Sequence, residues 1–384
     1  FAEPISISNG KKGGENGQRC WAAAISPFHS EDMLIGGDTW GIYRSENGGN
    51  LWYNVSESFE PTGVSGLIYH PDLEGVAFAM ISNDRVAENT KAGIYKTTDG
   101  GDTWRMIQHV PLTLRETFYN MTFSPKDEKG NRVMYAASEV DGGLWYSTDN
   151  GDSFQLIGLK DKQIRQLTTD SGGLAIATLS DGIMYTADMG KSFEYRNKGL
   201  EERGGKVSVR SVTINPSDDT NWFCLNYSNM YESSDSGNSW KKICTYDDWG
   251  MTEQQVFTLV FSAANPEGLA TLYVVFGNNV TPYAYSKDYG KTWNEPLVDN
   301  ELAMYSQGTA WPYHPLTPSP LEPDVMICSL DDEIYKSIDG GVSIKSSSSG
   351  LSGYRAVDWW FNPDDPYDWA VGCIDRGVLR SVDM

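Results

Sequence analysis

Short runs of alternating apolar and polar residues recur along the whole chain, each ending in Pro, Asp, Asn or Gly. Examples are "VSGLIYHPD", "FYNMTFSPKD", "VRSVTINPSDD", "VFTLVFSAANPEG" and "AVDWWFNPDDP". Period-two alternation sends successive side chains to opposite faces of a strand, and the closing residues suit turns. A second apolar run follows each of these, as in "GVAFAMIS", "VMYAASE", "GLAIATLS", "TLYVVFG" and "DWAVGC". A third run ends in a turn, and a short outer strand such as "WRMIQHV" or "WKKICTY" completes the unit. No long stretch has helical periodicity. The pattern predicts a repeated unit of four antiparallel strands, A to D.

The turn after the third strand aligns the units. Its copies are "YRSENGGNLW" at 43–52, "YKTTDGGDTW" at 95–104, "YSTDNGDSF" at 146–154 and "YTADMGKSF" at 185–193. They continue with "YESSDSGNSW" at 231–240, "YSKDYGKTW" at 285–293, "YKSIDGGVSI" at 335–344 and a truncated "LRSVDM" at 379–384. The central Asp or Asn recurs every 39 to 53 residues, the length of a four-stranded propeller blade. The expected fold is all-β: a single propeller domain over residues 1–384, of eight blades, with seven as the alternative. The last unit lacks strand D, and "FAEPISIS" at the N-terminus reads as the strand that completes it and closes the ring.

The turn resembles the Asp-box, S-x-D-x-G-x-T-W, of sialidases, sortilin-type receptors, photosystem assembly factors and family 74 glycoside hydrolases. Locally, the Asp carboxylate can accept backbone N–H groups, Gly supplies a positive φ, and the aromatic residue wedges between sheets. Asn47 replaces Asp in the first copy and Ile344 replaces Trp in the seventh. A fold element tolerates such drift and a catalytic one does not, so the turn is read as structural. The resemblance places ligands on the opposite face. Because strand direction alternates, the A–B turns share the C–D turn face, and the B–C and D–A loops share the other.

Composition narrows the partner. The net charge is −22, which repels nucleic acid and acidic membrane surfaces and favours a neutral partner. No run of 18 apolar residues exists to span a membrane. The five cysteines are odd in number, form no C-x-x-C, and mostly sit in apolar runs, so they read as buried free thiols. His29, His70 and His314 end A strands on the turn face; only His109, in a D–A loop, could reach the other. Neither a metal site nor a cofactor is expected.

The B–C loops are rich in acids: Asp38, Asp84, Glu139, Asp141, Asp181, Asp331 and Asp375 among them. A ring of carboxylates suits glycoside hydrolysis, in which one carboxylic acid protonates the leaving oxygen and a carboxylate activates water. "GGDTWGIYRSENGGNLW" is similar to the first-blade segment T-D-x-G-G-x-Y-R-S-x-D-G-G of family 74 enzymes, and this resemblance makes Asp38 the general base. "GCIDRGVLRSVD" fits the same template and makes Asp375 the partner acid, on a blade expected to adjoin the first. Thr39-Trp40-Gly41 departs from x-Gly-Gly. The family works between two tandem propellers, so a further domain outside residues 1–384 is a candidate partner.

Trp40 and Trp249 lie in loops and could stack on sugar, and Asp84, Tyr354, Arg355 and Arg376 complete the expected substrate-binding set. Trp359, Trp360 and Trp369 read as core. The leading expectation is a secreted, xyloglucanase-like hydrolase acting on a polysaccharide. A polysaccharide lyase, with Tyr, His or Lys as base and Arg or a metal neutralising a uronate, and a non-catalytic binding module are the alternatives.

Overall fold

The computed structural model describes residues 15–17, 20–37, 41–56, 63–82, 92–110, 120–138, 142–227, 229–249, 256–276, 281–298, 315–330, 333–353, 356–373 and 377–381. These form a ring of seven antiparallel sheets. Blade 1 spans residues 20–54, blade 2 63–109, blade 3 121–158, blade 4 164–195 and blade 5 211–245, each four strands in sequential order. Blade 6 has three strands over 256–286 and a fourth position held by the bridge between Tyr285 and Asn294. Blade 7 runs from 316 to 346 and carries an extra parallel edge strand, Leu297–Val298.

The seven-blade reading holds and the count of eight is corrected. Seven buried apolar clusters fill the seams between successive blades. The last joins Cys20, Ile25, Met33, Ile35, Tyr43 and Trp52 of blade 1 to Val325, Ile327, Ile334 and Leu351 of the blade 7 region. Hydrogen bonds cross the same seam: Trp52 donates its indole N–H to Ser347 O at 2.6 Å, and Lys336 reaches Gly48 O at 2.9 Å. Blade 7 therefore meets blade 1 directly. The eighth repeat forms a three-stranded sheet, Ala356–Asn362, Asp365–Cys373 and Gly377–Ser381, which the ring closes without.

Two expectations change with the count. Blade 7 already has its outer strand, Ser343–Ser346, so the closure needs no N-terminal strand to complete that blade. Residues 1–8 lie outside the described residues; Glu15–Gly17 runs parallel to Ser352–Gly353. Trp360, expected in a core, is 50% exposed beside Phe361 at 61%, because its sheet is not sandwiched between blades.

The repeated turn is built as local chemistry dictates. In blade 2, Thr97 Oγ1 donates to Asp99 Oδ1 at 2.7 Å and accepts Gly101 N–H at 3.0 Å, while Asp99 Oδ1 accepts Thr103 N–H at 2.9 Å. The same bonds hold Asp149, Asp188, Asp235, Asp288 and Asp339, and Asn47 makes their neutral version. Two successive residues take positive φ in each turn. The second is always Gly, whereas Asn150, Met189, Ser236 and Tyr289 bear the first at φ of 57 to 60°. Cations from the third strand latch onto the next blade's turn. Arg44 bonds Asp102 at 2.6 Å, Lys96 bonds Asp152 at 2.8 Å, and Lys336 closes the circle on Gly48.

Candidate functional site

With the turn carboxylates and hydroxyls committed to their own loops, the opposite face is where free chemistry can gather. On blade 1, the strands Met33–Gly37 and Ile42–Ser45 bracket the segment carrying Asp38 and Trp40. Gly37 N–H donates to Gly41 O at 3.1 Å, and Gly41 takes φ +81°. Ser56 Oγ accepts Ile42 N–H at 2.6 Å, clamping the exit of that loop. Asn197 Oδ1 does the same for Ile183 in blade 4 at 2.8 Å, and Ser348 for Ile334 in blade 7 at 2.9 Å. A side chain following the outer strand thus fixes where these B–C loops leave the sheet.

Asp38, Trp40, Asp84, Tyr354, Arg355, Asp375 and Arg376 lie outside the described residues, as does His314. The strands flanking residue 375 belong to the sheet beyond the ring, so the expected adjacency of its blade to blade 1 is lost with the eighth blade. Trp249 is described. It ends the 3-10 turn Tyr246–Trp249 and packs edge-on to Trp293 at 5.3 Å, with Phe276 and Tyr246 also against it. This packing leaves it half-buried. His109 is the last residue of the outer strand Arg105–His109 rather than a loop residue. His29 pairs with Glu74 at 2.9 Å, and His70 Nδ1 accepts Asp72 N–H at 3.0 Å, both on the turn face as expected.

Among the described carboxylates of the loop face, Asp181 and Glu201 are held away from their ordinary values. Asp181, in the blade 4 B–C loop, pairs with Lys162 at 3.0 Å. Burial works against its charge, but the Ser180 hydroxyl and Lys162 outweigh it and hold the carboxyl below its ordinary value. Glu201 is held low by Lys242, with burial opposing and Asn229 assisting. A general acid needs a carboxyl raised toward working pH. Both are pushed the other way, against that role.

The sequence reading missed a second group on this face. The segment "ERGGK" folds as a two-residue hairpin, with Arg203 N–H donating to Lys206 O at 2.9 Å and Gly204 and Gly205 at φ +62° and +75°. Positive φ at both central positions is the mark of a type I′ turn, which Gly-Gly signals in sequence. It presents Arg203 to Tyr227, 5.8 Å from guanidinium carbon to ring centre. Arg210, immediately before strand Ser211–Asn215, lies 5.6 Å from the same ring and 5.8 Å from Phe257.

A family model described as Sortilin, neurotensin receptor 3, matches residues 40–171. An oligoxyloglucan-reducing end-specific xyloglucanase of Emericella nidulans is 27% identical over 116 residues, which are 29% of this chain and 13% of that protein. The GH74 xyloglucanase of Xanthomonas campestris superposes with a TM-score of 0.69 at 13% identity, over 94% of this chain and 58% of that one. An ancestral GH74 enzyme gives 0.70 at 10% identity, over 99% and 55%. The chain is thus similar in sequence to a xyloglucanase over one stretch and shares its propeller fold with two GH74 proteins. It spans little more than half the length of those two solved chains.

Proposed function

We propose that this propeller belongs to an extracellular glycoside hydrolase of the GH74 kind, acting on a polysaccharide. The observation that carries the reading is the 116-residue similarity to a xyloglucanase, supported by a fold that superposes over 94% and 99% of this chain on parts of two GH74 proteins. Asp38 is the proposed general base: its template match is the best in the chain, and its loop is anchored by the Gly37–Gly41 bond and the Ser56 clamp. Asp375 is the proposed partner acid. The strands that flank it belong to a sheet separate from blade 1, so the two acids would come from separate units. A further domain beyond residues 1–384 is the other source of a second acid. Trp40 and Trp249 are the proposed stacking residues, with Asp84, Tyr354, Arg355 and Arg376 as further substrate contacts.

The sortilin-type match over residues 40–171 favours a second reading, a propeller that binds without cleaving. Products of incubation with xyloglucan and other polysaccharides, read by mass spectrometry, separate the two. Fragments carrying one added water are expected, and Asp38→Asn should lower their rate by at least about a hundredfold, the scale of a general base's contribution. Absence of fragments from a full-length protein that includes any further domain would refute hydrolysis, and a new double bond would point to a lyase.

A further inference from the structure

Arg210 is conspicuous on a chain with 52 acidic and 30 basic side chains. No carboxylate among the described residues pairs with it. One guanidinium nitrogen, Nη1, donates to Val256 O at 3.2 Å. Nε is buried without a partner, and no hydrogen bond from Nη2 occurs among the described residues. Tyr227, half-buried in the blade 5 B–C loop, and Phe257, at the start of blade 6, flank the guanidinium. Arg203 approaches Tyr227 from the Gly-Gly hairpin. All four lie on the loop face, away from the turns.

A guanidinium with open donors takes a carboxylate as a planar, two-pronged partner. An aromatic ring beside it takes the C–H face of a sugar. We propose that Tyr227, Arg210 and Arg203 form a subsite for a sugar ring bearing a carboxylate, so that the polymer this face accepts carries uronate substituents. The proposal rests on the saccharide reading above and narrows it, replacing the wholly neutral partner that the net charge suggested. Long-range repulsion from an acidic protein is screened at physiological salt within about 8 Å, and direct contact with a guanidinium survives it.

The test is calorimetric binding of xylotriose carrying one glucuronate, and of the same oligosaccharide with that carboxyl reduced to an alcohol. The acid should bind at least about tenfold more tightly, the scale of a hydrogen bond to a charged group. Arg210→Ala should erase that difference, and Tyr227→Ala should weaken the binding of both ligands. Arg210 also braces blade 6 through Val256, so Arg210→Lys provides the check if the alanine variant unfolds. It keeps the charge, loses the fork, and should still reduce the preference severalfold. Equal affinity of the wild-type protein for the two ligands overturns the subsite, as does failure of both to bind. Inorganic phosphate competing as well as free glucuronate would reduce it to a plain anion site and overturn the sugar assignment. Binding is read without turnover. A preference for the acid therefore leaves the subsite standing whether or not xyloglucan is cleaved, and cleavage of xyloglucan with no preference overturns the subsite and leaves hydrolysis standing.

Discussion

Trp52→Ala tests the closure of the ring. Trp52 is 1% exposed, and its indole sits in the cluster that joins blade 1 to blade 7. Its side chain donates to Ser347 O, and its backbone N–H donates to Ser349 O at 2.8 Å. Truncating a buried Trp costs about 4 kcal/mol, and leaving the Ser347 carbonyl without its donor adds about 1 kcal/mol. For a ring of about 330 residues the unfolding entropy is roughly 0.7 kcal/mol/K, so Tm should fall by about 7 °C. The companion variant ends the chain at residue 355 and removes the three-stranded sheet. If blade 7 meets blade 1 directly, that truncation removes nothing from the seam and Tm should move by no more than about 2 °C. Calorimetry on both settles the matter. A truncation that costs as much as Trp52→Ala, or prevents folding, would show that the eighth repeat closes the ring and would refute the seven-blade assignment.

Further outcomes follow from the turns and the core. Met189 is 39% exposed and holds φ +60°; Met189→Gly should raise stability by about 0.5–1 kcal/mol, the left-handed strain of roughly 1–2 kcal/mol less the added chain entropy of glycine, measured by urea denaturation. The carboxyls of Asp149, Asp188 and Asp288 are held down to about 2. Burial opposes this at Asp149, and bonds from Ser192 and Thr292 lead at the other two. A folded value below the unfolded one means that the turns contribute stability above about pH 4 and lose it as pH falls through about 2. Asp149→Asn should flatten the pH dependence of the urea midpoint below pH 4 while keeping the turn, as Asn47 does in blade 1. Burial pushes the thiols of Cys20 and Cys244 up to about 12 and raises those of Cys224 and Cys328 well above the ordinary thiol value, so all four should resist iodoacetamide at pH 8 until the protein is unfolded, as peptide mapping would reveal.

Much of the fold was legible because its determinants are local. Alternation marked the strands, and the Asp and Gly of each turn marked the repeat; Asp99 makes its bonds and Gly101 takes its positive φ where local reasoning put them. The blade count was not legible. The eighth repeat carries the same local signals as the others, and only the packing of Trp52 and Lys336 across the seam tells which repeat the first blade meets. The exposure of Trp360 follows from the same non-local fact. On the loop face, Arg210 and Tyr227 went unnoticed because they are 17 residues apart and belong to no motif. The Gly-Gly hairpin that brings Arg203 to them was a readable sign.

The two faces of the ring differ in what their polar groups are free to do. On the turn face, each Asp of the repeated turn accepts a backbone N–H and a hydroxyl, and Arg44, Lys96 and Lys336 are consumed by the next blade's turn. A ligand there would have to displace bonds that hold the ring together. On the loop face, side chains such as Ser56, Asn197 and Ser348 fix only the loop exits, and the guanidinium of Arg210 keeps donors unspent. The stability of the ring and the chemistry of its loops are therefore carried by different residues. Substitutions at Arg210 or Tyr227 should change what binds, whereas substitutions at the turn aspartates should change only whether the ring folds.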